Sequence, residues 1–171
     1  GFGEADIAFK NPGGIRDDLL FDEITGGEAP GEVTYGEAFS VQPFGNSLVT
    51  MTLTGAQIHD LLEEQWEGQT FPRILQPSAG FSYTWDVSEP DGAKVVPGTV
   101  KLGGVAIADD GSTGYRVTVN SFLADGGDNF ATLVDGTDRL GGEIDLDALV
   151  TYFGANSPIP PGSQDRITSQ P

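Results

Sequence analysis

The hexapeptide Asn11-Pro12-Gly13-Gly14-Ile15-Arg16 sets two glycines beside one of only eight basic side chains in the sequence. Glycines permit positive φ and let a ligand come close to the backbone, whose N–H groups then point outward. Arg16 adds a planar fork able to hold a phosphate through two hydrogen bonds. The same residues also read as a plain turn with Arg16 paired to Asp17 or Asp18, and the hexapeptide alone favours that turn. In Gln42-Pro43-Phe44-Gly45-Asn46 a phenylalanine stands between proline and glycine. Phe44 either plugs the core, the preferred reading of this segment alone, or stands out as a stacking surface. Asn46 could read a base edge or cap its own turn. A third segment, Asn120-Ser121-Phe122-Leu123-Ala124-Asp125-Gly126-Gly127-Asp128, follows a strand-like run. Phe122 is again an aromatic at a strand-to-loop junction. Asp128 can accept from a pair of vicinal hydroxyls, or cap a short helix over residues 129–133.

These segments need a scaffold, and the chain supplies one. Residues 5–9 read as a short strand stopped by Asn11-Pro12-Gly13-Gly14. Residues 22–32 are rich in Gly, Glu and Pro and read as an exposed loop. Residues 47–54 alternate as a strand, and Thr54-Gly55-Ala56-Gln57 is a capping box that opens a helix. Ile58, Leu61, Leu62 and Trp66 form its apolar stripe, whereas Glu63, Glu64 and Glu67 crowd the end where the dipole disfavours acids. Further strands are expected at 81–85, 94–96, 99–102 and 115–120. A last helix is expected over 145–153, with Asp145 as cap and Gly154 as stop. Pro158, Pro160 and Pro161 then lead out of it. Strands and helices mix without regular βαβ alternation, so the expected class is α+β, a single mixed-sheet domain with a few helices.

Composition narrows the chemistry. The 171 residues suffice for one domain with a core of its own. The net charge of −18, from 26 acidic and 8 basic residues, opposes nucleic acid polymers and anionic membranes. One arginine with backbone N–H groups can still hold a single phosphate. Without cysteine there is no disulfide, thiol nucleophile or thiolate metal site. No apolar run is long enough to span a membrane. Neither Asp125-Gly126-Gly127-Asp128 nor Asp109-Asp110-Gly111 has the spacing of a calcium loop. His59 is the single histidine and is expected to be an exposed helix residue. A hydrolytic triad or a two-metal phosphoesterase needs clustered histidines, so the expectation is that this chain is not itself the catalyst. Opening at Gly1-Phe2-Gly3 without methionine, it reads as a fragment or processed chain.

Taken in order and spacing, these segments resemble the C-terminal domain of the 5'-nucleotidase family, which includes UDP-sugar hydrolases and 2',3'-cyclic nucleotide phosphodiesterases. The resemblance runs from Asp6 to about Ile167. It rests on Asp6 to Arg16, Val41-Gln42-Pro43-Phe44-Gly45-Asn46, Leu53-Thr54-Gly55-Ala56-Gln57-Ile58, Leu75-Gln76-Pro77-Ser78 with Tyr83 and Asp86, and Ser121 to Asp128. It implies a nucleotide-binding domain over residues 1–167 with a tail at 168–171. The base would lie between Phe44 and Phe122, the ribose hydroxyls on Asp128 and the phosphate on Arg16. Asn11 and Asn46 match positions with polar contacts to the nucleoside, and Gly80 matches one that approaches the ligand. The resemblance implies no cofactor in this chain. Two divalent metal ions would belong to an N-terminal metallophosphoesterase domain of a secreted or cell-surface bacterial parent. Two departures stand out: the sequence starts after the point where the family's usual first helix, with its Gly-Asn motif and second ligand-binding arginine, would lie, and the loop from Arg16 to Phe44 is longer than usual. The expected reaction of the parent is nucleotide monoester hydrolysis. The alternatives are a nucleoside-binding or adhesion module of the same fold, or hydrolysis of a UDP-sugar or cyclic nucleotide.

Overall fold

A computed structural model describes residues 4–171, and Gly1-Phe2-Gly3 lie outside it. In chain order the elements are β1 (Ile7–Lys10), α1 (Tyr35–Val41), β2 (Ser47–Thr54), α2 (Gly55–Glu63), β3 (Gln76–Pro77), β4 (Phe81–Asp86), β5 (Lys101–Leu102), β6 (Val105–Ala106), β7 (Gly114–Asn120), α3 (Ser121–Ala124), β8 (Thr137–Ile144), α4 (Asp145–Asn156) and β9 (Ile167–Gln170). Two mixed sheets result, ordered β3-β1-β7-β2-β8 and β6-β5-β4-β9. The α+β class expected from the sequence is the one observed.

The period-2 pattern of the strands fixes the core. Ile7 and Phe9, Met51 and Leu53, and Val117 and Val119 are all buried in one cluster with Ile58, Leu61 and Leu62 of α2. Each such side chain contributes about 1.5–3 kcal/mol by leaving water. The second sheet joins this core through Phe81, whose ring meets Phe9 edge-on at 5.1 Å and 85°. The capping box at the start of α2 forms in both directions, Thr54 Oγ1 accepting from Gln57 N–H and Gln57 Oε1 from Thr54 N–H. The acids at the far end of α2 work through loops rather than the dipole. Glu63 accepts from the Lys94 and Val95 N–H groups, and Glu64 from Thr132.

Several expectations need correction. Asp145 is not the cap of α4: Ile144 holds that position, and the Asp145 carboxylate instead accepts from Lys10 Nζ at 3.0 Å. Gly154 does not stop α4, which continues to Asn156. The break comes at Ser157, held extended (φ −67, ψ 144) by the proline that follows. The strand expected at 94–96 reduces to one bridge between Val95 and Trp85, and that at 99–102 to Lys101–Leu102. Between them Thr99 Oγ1 bonds the Val96 carbonyl at 2.6 Å, closing a turn around Pro97-Gly98. His59 is half-buried, with Nε2 3.1 Å from the Ile107 carbonyl. Residues 168–170, expected as tail, belong to β9, which pairs in parallel with β4.

Candidate functional site

Sheet register explains why three distant segments share one edge. β1 and β7 are parallel, with Ile7 opposite Val117 and Ala8 opposite Thr118, so both strands end on the same side. β2 runs against β7 with Leu48 opposite Asn120, which brings the 42–46 turn to that side as well. Residues that follow Lys10, precede Ser47 and follow Asn120 therefore meet. Loops gathered at one end of a rigid sheet are the usual seat of ligand contacts.

Hydrogen bonds tie the segments together. Asn11, buried, donates from Nδ2 to Asp128 Oδ2 at 2.8 Å and accepts at Oδ1 from Asn120 Nδ2 at 3.0 Å. Asn120 Oδ1 caps α3 by accepting from Leu123 N–H. Asn46 Oδ1 accepts from Ser121 Oγ at 3.3 Å, and its carbonyl accepts from Asp145 N–H at 2.8 Å. The bond to Ser121 sets the Phe44 turn beside the helix that carries Phe122.

The aromatic pair is on the surface. Phe44 is 58% exposed and Phe122 46% exposed, so neither plugs the core. A Cβ built on Gly127 would lie 2.6 Å from the Phe122 ring, so that ring packs against a position only glycine fits. Arg16 pairs with no carboxylate among the described residues. Its guanidinium lies 5.8 Å from the Phe44 ring centroid, and Nη1 bonds the Gly13 carbonyl at 3.3 Å. Gly14 packs against Asn11: a Cβ there would sit 2.5 Å from Asn11 Oδ1.

Asp128 caps no helix. Its backbone is left-handed at φ 57, as is Asn129 at φ 64, and the short turns on either side have no side-chain cap. Sequence reading missed its second partner, Arg73, whose Nε lies 3.5 Å from Asp128 Oδ1. Arg73 reaches this edge because β3 pairs with β1 with Gln76 opposite Lys10. Its rarity among the basic residues and its place in Phe71-Pro72-Arg73 were the only signals available. The same register carries Gly80 the other way. Ser78 N–H bonds the Ala8 carbonyl, so the chain is already heading towards the opposite end of β1. There Gly80 turns at φ 89 and accepts from Gly103 N–H at 2.8 Å. The structure thus brings Asn11, Arg16, Phe44, Asn46, Phe122 and Asp128 together and sets Gly80 apart.

A concavity of about 790 Å³ lies elsewhere, lined by Phe21, Tyr35, Val150, Phe153 and Ile159 among others, and includes none of these residues. Among the described residues no three His, Asp or Glu side chains converge as metal ligands. None of the described helices is long and apolar enough to cross a membrane.

Comparison with known proteins gives the family of the chain. Residues 2–135 match the profile of the 5'-nucleotidase C-terminal domain. The structure is similar to that of a 5'-nucleotidase precursor from Thermus thermophilus, with a TM-score of 0.79 and 35% identity, covering 96% of this chain and 31% of that one. Among curated proteins it is 38% identical over 130 residues to the cell wall protein Lmo0130 of Listeria monocytogenes, covering 75% of this chain and 16% of that protein. It is 33% identical over 137 residues to the trifunctional nucleotide phosphoesterase YfkN of Bacillus subtilis, covering 77% of this chain and 8% of that protein. The chain therefore belongs to the 5'-nucleotidase C-terminal domain family. It spans under a third of each of these relatives.

Proposed function

We propose that this chain is the nucleotide substrate-binding domain of an exported bacterial 5'-nucleotidase. The base lies between Phe44 and Phe122, the ribose hydroxyls meet Asp128, and the phosphate meets Arg16. One observation carries the reading: two exposed rings, an arginine with no carboxylate partner among the described residues and a hydrogen-bonded carboxylate, all from three distant segments, gather at one sheet edge. Stacking is worth about 1–3 kcal/mol per base and tolerates any base, so it suits a general nucleotide binder. The net charge of −18 slows an anionic ligand's approach, and salt screens much of that. Hydrolysis of the phosphoric monoester, with the two divalent metals it uses, is assigned to a separate N-terminal domain of the parent, to which this domain presents the nucleotide. A second reading, a nucleoside-binding or adhesion module without hydrolysis, draws on the relative named a cell wall protein.

Titration of adenosine and AMP into the chain tests the site, followed by amide shifts or tryptophan fluorescence. Phe44→Ala and Phe122→Ala should each weaken both ligands by about 1–3 kcal/mol. Affinities equal to wild type would remove the stacking claim. The purified chain should release no phosphate from AMP with Mn²⁺ or Zn²⁺; metal-dependent turnover would overturn the division of labour.

A further inference from the structure

We infer that Arg73 is a positioning residue for Asp128, and that it sets how well this surface distinguishes a ribose cis-diol from a deoxyribose. The inference rests on the nucleotide reading above and deepens it. Arg73 is itself fixed from four sides. Its backbone N–H donates to the Gln65 carbonyl at 2.8 Å, and its guanidinium lies 4.8 Å from the Phe71 ring centroid. Nη1 donates to Gln69 Oε1, while Nε faces Asp128 Oδ1 at 3.5 Å. Gln69 returns to the same residue, its Nε2 donating to the Asp128 carbonyl at 2.7 Å. Asn129 Nδ2 reaches the Gly68 carbonyl at 3.4 Å. The 68–73 stretch therefore grips two consecutive left-handed residues, neither a glycine, a conformation that persists only when its surroundings impose it.

The consequence is for the carboxylate. Asn11 occupies one site on Oδ2, and Arg73 stands by Oδ1. A carboxylate oxygen accepts at two sites, so each retains one for a hydroxyl. With the carboxylate plane already set, two adjacent hydroxyls bind at a smaller ordering cost. A ligand lacking one hydroxyl leaves one acceptor without a partner. Loosening Asp128 therefore harms the diol ligand selectively.

The experiment compares Kd for adenosine and 2'-deoxyadenosine by amide-detected titration of the 171-residue chain and of its R73Q and R73K variants. Wild type should prefer adenosine by about tenfold or more, since one hydrogen bond to a charged group is worth at least that. R73Q should cut that preference to about threefold or less by weakening adenosine alone, with 2'-deoxyadenosine unchanged. R73K keeps the charge but not the fork and should fall between. A simple staple between loops would weaken both nucleosides in parallel. Parallel loss, or an unchanged ratio in both variants (in R73K alone where R73Q loses its folded amide spectrum), overturns the role of Arg73 and leaves the nucleotide reading standing. Failure of wild type to bind either nucleoside overturns both.

Discussion

Asn11 and Asp128, 117 residues apart in the chain, are joined by a 2.8 Å hydrogen bond at the end of β1. Asn11 is 3% exposed and uses both halves of its amide, since Oδ1 also accepts from buried Asn120. The bond thus links the core of the sheet to the carboxylate at its edge. Stability and ligand binding should respond together to its loss.

Asn11→Ala should destabilise the chain by about 1–3 kcal/mol, because Asn120 Nδ2 is left buried without an acceptor. Asn11→Asp should be worse above the usual carboxylate range, because it sets a second carboxylate against Asp128. Urea unfolding checks both: the midpoint should fall with an unchanged slope. An Asn11→Ala midpoint equal to wild type would mean that water or a neighbour replaces the amide.

Arg16 should divide phosphate from base. It is exposed and lies near the Phe44 ring. Arg16→Ala should weaken AMP by about 1.5–3 kcal/mol, the worth of hydrogen bonds to a charged group. Adenosine should lose no more than the cation–π contribution to Phe44, about 0.5–1 kcal/mol at an exposed site. Thermal stability should stay within about 0.5 kcal/mol of wild type. Parallel calorimetric titrations of AMP and adenosine measure the split. Equal losses for the two ligands would place the phosphate elsewhere.

What was legible in the sequence was local. Alternation gave β2 over Ser47–Thr54, and the capping box gave the start of α2. Motif order placed Phe44, Phe122 and Asp128 in one family pattern. What stayed hidden depends on pairing partners distant in sequence. β8 (Thr137–Ile144) carries an Arg, an Asp and two glycines and stays mostly exposed, so no alternation marks it; it is a strand because β2 pairs with it. β3 has two residues and exists through β1, yet it brings Arg73 to the site and sends Gly80 away. Asp145 looked like a helix cap because Asp often is one, but Lys10, 135 residues distant, claims its carboxylate. Gln65 is another such case. It is polar and wholly buried, and its Oε1 accepts from both Leu75 N–H and Tyr83 Oη, a pairing that no local pattern announces.

Glu64 should give the chain a pH dependence of definite sign. Its carboxyl sits above the ordinary carboxylate value of 4.5, chiefly because burial penalises the charge; bonds from Thr132 oppose this, and Asp60 and Glu67 add to it. The folded state thus holds this proton more tightly than the unfolded chain does. Its contribution to stability is complete below the unfolded value and is lost as pH rises through the higher folded one. Half-buried Asp86 and Asp110, lowered by hydrogen bonds from Ser88 and from Thr113 and Ser112, run the opposite way and lose stability as pH falls. Comparison with Glu64→Gln separates these effects, since the amide keeps an acceptor for Thr132 but does not titrate. Urea unfolding from about pH 4 to about pH 8 should show Glu64→Gln gaining on wild type as pH rises from the ordinary carboxylate value, then levelling off. A stability difference that stays flat would show that the Thr132 bonds cancel burial, and one that moves towards wild type with rising pH would show that they outweigh it and that the Glu64 charge is welcome where it sits.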